Sequence, residues 1–187
     1  MKQVINYITG NLVRKVIEEN EPFLTEYEFQ FALAMEIKEQ FPELKVKIEQ
    51  KVYCDDEDKE NCRCDIVAYN NDKKFILLIE LKYVVTLGTQ SDKSSMGSRS
   101  SFISDIKRLQ DLKDYPKAQK YCIFVSNKKA VYCNNSTAKG AADYFNKLYA
   151  NEEKWKIVDN HNYNPSARFL IVNVDETPSV PPEYYCY

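Results

Sequence analysis

Phe75-Ile76-Leu77-Leu78-Ile79-Glu80-Leu81-Lys82 is the stretch on which the fold turns. A continuous apolar run behind the turn-like Asn70-Asn71-Asp72 has the form of a strand buried on both faces, and so of a central strand. Residues two apart on a strand point to the same side, which predicts that Glu80 and Lys82 project together from its end. Taking such ions out of water costs on the order of several kcal/mol each unless they are well paired. A metal ion is one suitable partner; a simple salt bridge at the end of a sheet is the plainer alternative.

The spacing itself carries little. Glu36-Ile37-Lys38, Glu43-Leu44-Lys45, Glu49-Gln50-Lys51, Asp105-Ile106-Lys107 and Asp111-Leu112-Lys113 share it. In a helix, residues two apart face away from each other. Glu49 and Lys51 lie in an alternating strand, where Lys47, Glu49 and Lys51 read as one solvated face. Only Glu80 and Lys82 end an unbroken apolar run.

Upstream, Ile5, Ile8, Leu12, Val16 and Ile17 recur at helical spacing over Val4 to Glu19, with Gly10 as a weak point. Thr25 with Glu28 three residues on has the form of a capping box, opening a helix that runs to about Phe41 before Pro42. On that helix Glu26, Gln30, Leu33, Ile37 and Phe41 share a face. A Glu and a Gln on an apolar stripe form a candidate site, although a first-turn Glu also suits the helix dipole. Leu44 to Tyr53 alternates as a strand, Asp55 to Asn61 is an acidic turn, and Arg63 to Tyr69 is the next strand, joined as a hairpin to the central one. Antiparallel pairing there would bring Asp65 to the Glu80 end.

Downstream, Thr86 to Ser101 is rich in Gly and Ser and is expected to be a flexible loop, in which Lys93 and Arg99 are candidate phosphate contacts. Phe102 to about Lys113 has the pattern of an amphipathic helix, with Lys107 and Arg108 on a solvated face. Tyr121 to Val125 reads as a buried strand, Ala130-Val131-Tyr132 as a short apolar run and Thr137 to Ala150 as a helix. Trp155 to Val158 and Phe169 to Val172 read as late strands, followed by a Pro/Tyr-rich tail, about 175–187, without period. His161, the single histidine, sits among asparagines in a loop.

With 187 residues the chain is expected to form one domain. Its formal net charge of −2 advertises no global basic surface, although a local basic groove can exist on a near-neutral protein. No signal sequence or bilayer-spanning run is evident, which predicts a cytoplasmic protein without a membrane partner. Cys54, Cys62, Cys64, Cys122, Cys133 and Cys186 read as free thiols. Cys54, Cys62 and Cys64 lack the paired spacing of a structural zinc site.

The order helix with Glu26, strand, strand with Asp65, strand with Glu80-Leu81-Lys82, helix, strand resembles the PD-(D/E)XK nuclease superfamily, the restriction-endonuclease-like fold. Asp65, Glu80 and Lys82 match its motif, and Glu26 stands at the place of the helix-borne acid that many members carry. Glu26 to Ala34 and Phe102 to Leu109 look like recurrent segments of small single-domain members. The resemblance spans about Thr25 to Ser126, with Cys64 where the motif name has proline. It implies an α/β (α+β) fold with a central mixed sheet flanked by helices, and a nuclease that hydrolyses phosphodiester bonds of nucleic acid, DNA being the expected substrate.

The residue chemistry suits that work. Mg²⁺ or Mn²⁺ takes oxygen ligands, for which Asp65, Glu80 and the Leu81 backbone carbonyl are the candidates. Glu26 is a further acid for a second ion or for orienting water, with Gln30 behind it. Lys82 is a donor toward the water or a non-bridging phosphate oxygen. A non-catalytic module binding nucleic acid or protein on the same fold is the alternative. The near-neutral charge and the lack of a separate target-recognition domain favour that module, or else a homodimer or protein partner that supplies specificity.

Overall fold

The computed structural model describes residues 2–18, 25–52, 63–85, 95–113, 115–128, 131, 139–150, 152–157 and 168–181. The ten principal elements are α1 (Lys2–Glu18), α2 (Glu26–Gln40), β1 (Lys45–Lys51), β2 (Arg63–Tyr69), β3 (Phe75–Val84), α3 (Ser95–Asp111), β4 (Gln119–Ser126), α4 (Ala141–Tyr149), β5 (Lys156–Ile157) and β6 (Arg168–Asn173). The six strands form one sheet in the order β1-β2-β3-β4-β6-β5. The β3–β4 pair is parallel and the others are antiparallel. The fold is therefore α/β with a mixed sheet, and β3 lies inside it as its apolar run requires.

Alternation along the strands divides the core. Leu77, Ile79, Leu81 and Tyr83 of β3 join Tyr121, Ile123 and Val125 of β4 beneath α1 and α2. Leu78, Cys122 and Phe124 face the other way, against Phe102, Ile103, Ile106 and Leu109 of α3 and Phe145 and Tyr149 of α4. Helices thus cover both faces of the sheet, an arrangement in which each buried stripe finds a partner. Thr25 caps α2 by accepting from the Glu28 amide at 3.1 Å. Gln30, Leu33 and Ile37 point inward as the helical spacing predicts, while Tyr27, Phe31 and Met35 line an exposed side of the same helix. Gly10 does not break α1; its Cα faces the Phe169 ring, which a methyl group there would touch at 3.5 Å.

Three readings change. The central strand runs on past Lys82 to Val84, so Glu80 and Lys82 lie within its last half rather than at its tip. The expected loop over 86–101 is helical from Ser95 onward, because Arg99 packs inside and overrides the weak propensity of Ser and Gly. The helix expected from Thr137 starts at Ala141, after Gly140 with φ 58°, a conformation that suits glycine. The tail is anchored at least to Val180, which is buried and whose amide donates to Gln110 Oε1 at 3.0 Å. Lys93, His161, Cys54 and Cys62 lie outside the described residues. Among the described residues no helix is long and apolar enough to cross a membrane.

Candidate active site

The site is built where β2 and β3 part. Their paired register runs from Tyr69 opposite Phe75 to Ile66 opposite Ile79, with a bulge at Ala68/Tyr69. One step further along stand Asp65 and Glu80. Beyond that point the amides of β3 no longer find β2 backbone; carboxylates take them instead. Leu81 N–H donates to Asp65 Oδ2 at 2.6 Å, and Tyr83 N–H donates to Glu26 Oε2 at 2.6 Å. In an antiparallel pair the N–H and C=O of one residue address the same neighbour, so the Leu81 carbonyl faces the same fork as Asp65.

Glu26 also holds Lys82. Its Oε1 lies 3.5 Å from Lys82 Nζ, and the lysine side chain is 22% exposed. Burial alone pulls the Lys82 pKa down, but Glu26, Asp105 and Asp65 outweigh it and hold the ammonium above its usual range. Lys82 is therefore a charged donor and not a base.

Glu80 faces α3, with its side chain only 2% exposed. Its partner is Arg108, whose Nη2 lies 2.5 Å from Glu80 Oε2 and 3.2 Å from Asp105 Oδ1. Arg108 is thus not part of a solvated face. Lys107, beside it, is paired with Asp111 one turn on. Glu80 and Lys82 share a side as expected, yet each takes its partner from a different helix, so the plain Glu80–Lys82 salt bridge is not what forms.

Gln30 is 3% exposed. It donates from Nε2 to the Asp65 carbonyl at 2.5 Å and to Glu49 Oε1 at 3.1 Å, so it fixes the backbone that carries Asp65. Glu49 stands where β1 would face Asp65, between the pairs Ile48–Ile66 and Gln50–Cys64. Its φ of 50° is uncommon for a residue with a Cβ. The solvated face read from alternation therefore holds a residue bent toward the site.

The carboxylates are crowded. Burial raises the Asp65 pKa from 3.8 to about 6; the Leu81 amide opposes this, and Asp105, Glu26 and Glu49 add to it. Burial likewise raises Glu80, with Arg108 opposing and Asp65 and Asp105 adding. Asp105 is raised by burial, against the pull of Arg108 and Lys82. Two neutral thiols line the floor beneath Glu80. Burial pushes Cys64 and Cys122 well above the ordinary range, and Cys64 Sγ donates to the Ile79 carbonyl at 3.2 Å, which makes it a packing residue.

Asp65, Glu80, Lys82, Glu26 and Gln30 thus converge on one region through direct bonds and mutual fields. Arg99 does not. It is fully buried, donates to Asn146 Oδ1 at 2.8 Å and lies over the Phe145 ring, so it ties α3 to α4 and is not a phosphate contact. Asp105 and Arg108 were missed, although a signal existed. With about 100° per residue, Asp105 projects between Leu109 and Leu112, inside the buried arc of α3. Glu49 left no such mark, since its backbone bend has no sequence signature.

The donor set is hard oxygen, which fits Mg²⁺ or Mn²⁺, and the bonds described leave Asp65 Oδ1 and Glu80 Oε1 free of use. Yet among the described residues no three His, Cys, Asp or Glu side chains stand grouped as a metal-ligand set. The β3 amides and Arg108 occupy oxygens that the expected ion would take. No protein-family model matches the chain, and neither does any curated protein or solved structure.

Proposed function

We propose that the protein is a divalent-metal-dependent nuclease that hydrolyses phosphodiester bonds of nucleic acid, with DNA as the expected substrate. Asp65, Glu80 and the Leu81 carbonyl hold Mg²⁺ or Mn²⁺, and Glu26 is the adjoining acid. The observation that carries this reading is the excess of buried carboxylate. Asp105 raises the pKa of Asp65, and Asp65 and Asp105 both raise that of Glu80. Four carboxylates, Asp65, Glu80, Asp105 and Glu26, share two cations, Lys82 and Arg108, an excess of like charge that a further cation would balance.

When bound, such an ion supplies Lewis-acid stabilisation of phosphoryl charge and activation of water. The chain's own groups do the rest. Lys82 stays protonated and donates to a phosphate oxygen that gains charge in the transition state. Glu26 fixes Lys82 against the β3 edge while its other oxygen holds Tyr83 N–H. Gln30 pins the Asp65 backbone from beneath, so the ligand cannot drift from the fork.

The test is cleavage of labelled single- and double-stranded DNA and RNA with Mg²⁺, Mn²⁺ or EDTA. Cleavage is expected with either metal and not with EDTA. Asp65→Ala abolishes it, and Lys82→Met lowers the rate by about 10²–10³-fold. Undiminished cleavage by Asp65→Ala overturns the proposal. Nucleic-acid binding by the wild type without any cleavage identifies a binding module instead.

A further inference from the structure

Arg108 is held in an unusual way for a structural arginine. Arginine–carboxylate pairs are frequently bidentate, through two parallel N–H groups. Here one nitrogen, Nη2, serves both Glu80 and Asp105. Meanwhile Nε–H is buried and has no hydrogen-bond partner among the described residues, a condition that calls for an explanation in a native structure. The side chain is 34% exposed, so it can swing. Asp105, three residues back on the same helix, remains as an anchor when it does.

Resting on the metal reading above, we infer that Arg108 is a resident counter-cation for Glu80: it holds the carboxylate in the metal-free protein and gives it up when the divalent ion enters. A guanidinium and a divalent cation repel each other at contact distance, and both draw on the one Glu80 carboxylate. Loading the ion therefore moves the guanidinium from Glu80 toward Asp105. Arg108 is a positioning residue in this scheme. It keeps an almost wholly buried carboxylate compensated until the metal arrives, and it weakens metal binding by the strength of the pair it must surrender.

The test is Mn²⁺ titration by calorimetry at pH 8 on wild type, Arg108→Met, Arg108→Lys, Glu80→Gln and Asp65→Asn, with circular dichroism to verify folding. Arg108→Met is expected to bind Mn²⁺ about tenfold more tightly than wild type. Arg108→Lys, which keeps the charge, stays within about threefold of wild type. Equal or weaker binding by Arg108→Met, with Glu80→Gln still reducing affinity, overturns the role of Arg108 and leaves the metal centre standing. If neither Glu80→Gln nor Asp65→Asn alters Mn²⁺ binding, the metal centre fails and the inference with it. If Arg108→Met does not fold, the wild-type Arg108 Nε–H resonance decides. It shifts on Mg²⁺ addition in the wild type but not in Glu80→Gln, and an unmoved resonance at saturating Mg²⁺ overturns the inference.

Discussion

Asp65 is the residue at which function and stability oppose each other. Its pKa rises from 3.8 to about 6, mainly through burial. A carboxyl raised on folding favours the fold fully below its unfolded pKa and loses that contribution as pH rises through about 6. Glu80 and Asp105 are raised as well, so all three act in the same direction. In EDTA, stability is therefore expected to fall between pH 4 and pH 7. Asp65→Asn retains an oxygen for the Leu81 amide and removes the charge. It is expected to be more stable than wild type by about 1–3 kcal/mol at pH 8 and equal to it near pH 4. Urea melts at the two pH values check this; a variant no more stable at pH 8 would show that Asp65 carries no burial strain.

Among the elements, α1 and α3 both run through sequence that discourages helix. In α1 the exception is Gly10, which lies against Phe169 of β6. A methyl group there meets the ring at ordinary contact distance, so close approach does not require glycine. Gly10→Ala is expected to stabilise the protein by about 0.5–1 kcal/mol, read from a denaturant midpoint at unchanged slope. In α3 the weak formers Ser95, Gly97, Ser98, Ser100 and Ser101 are carried by Arg99 and Phe102, which pack against α4 through Asn146 and Phe145. That helix then brings Asp105 and Arg108 down onto Glu80.

At the scale of the whole molecule, β3 connects both halves of the core to the site. Its odd-numbered side chains face α1 and α2, while Leu78 and Glu80 face α3. An ion at the fork between β2 and β3 would join α2, the sheet and α3 into one cooperative unit. Mn²⁺ at a hundredfold excess over its dissociation constant is expected to stabilise the fold by about 2.7 kcal/mol, a rise of about 5–10 °C in Tm for a chain of this size. Scanning calorimetry should register that shift in the wild type and lose it in Glu80→Gln. An equal shift in both would mean that the ion binds elsewhere.

The sequence by itself determined the strand order through the hairpin, the burial of β3, the inward face of α2 and the identity of Asp65, Glu80, Lys82, Glu26 and Gln30 as one candidate group. These rest on period, turn residues and the cost of burying charge, all local properties of the chain. Only the tertiary structure decided which charge answers which. Glu80 pairs with Arg108 from a helix after it and Lys82 with Glu26 from a helix before it, because the choice depends on how the layers pack across the sheet. For the same reason the Ser-rich start of α3 became helix, Arg99 became a core strut, and Glu49 left its solvated strand face for Gln30. Local preference was outweighed by partners distant in sequence.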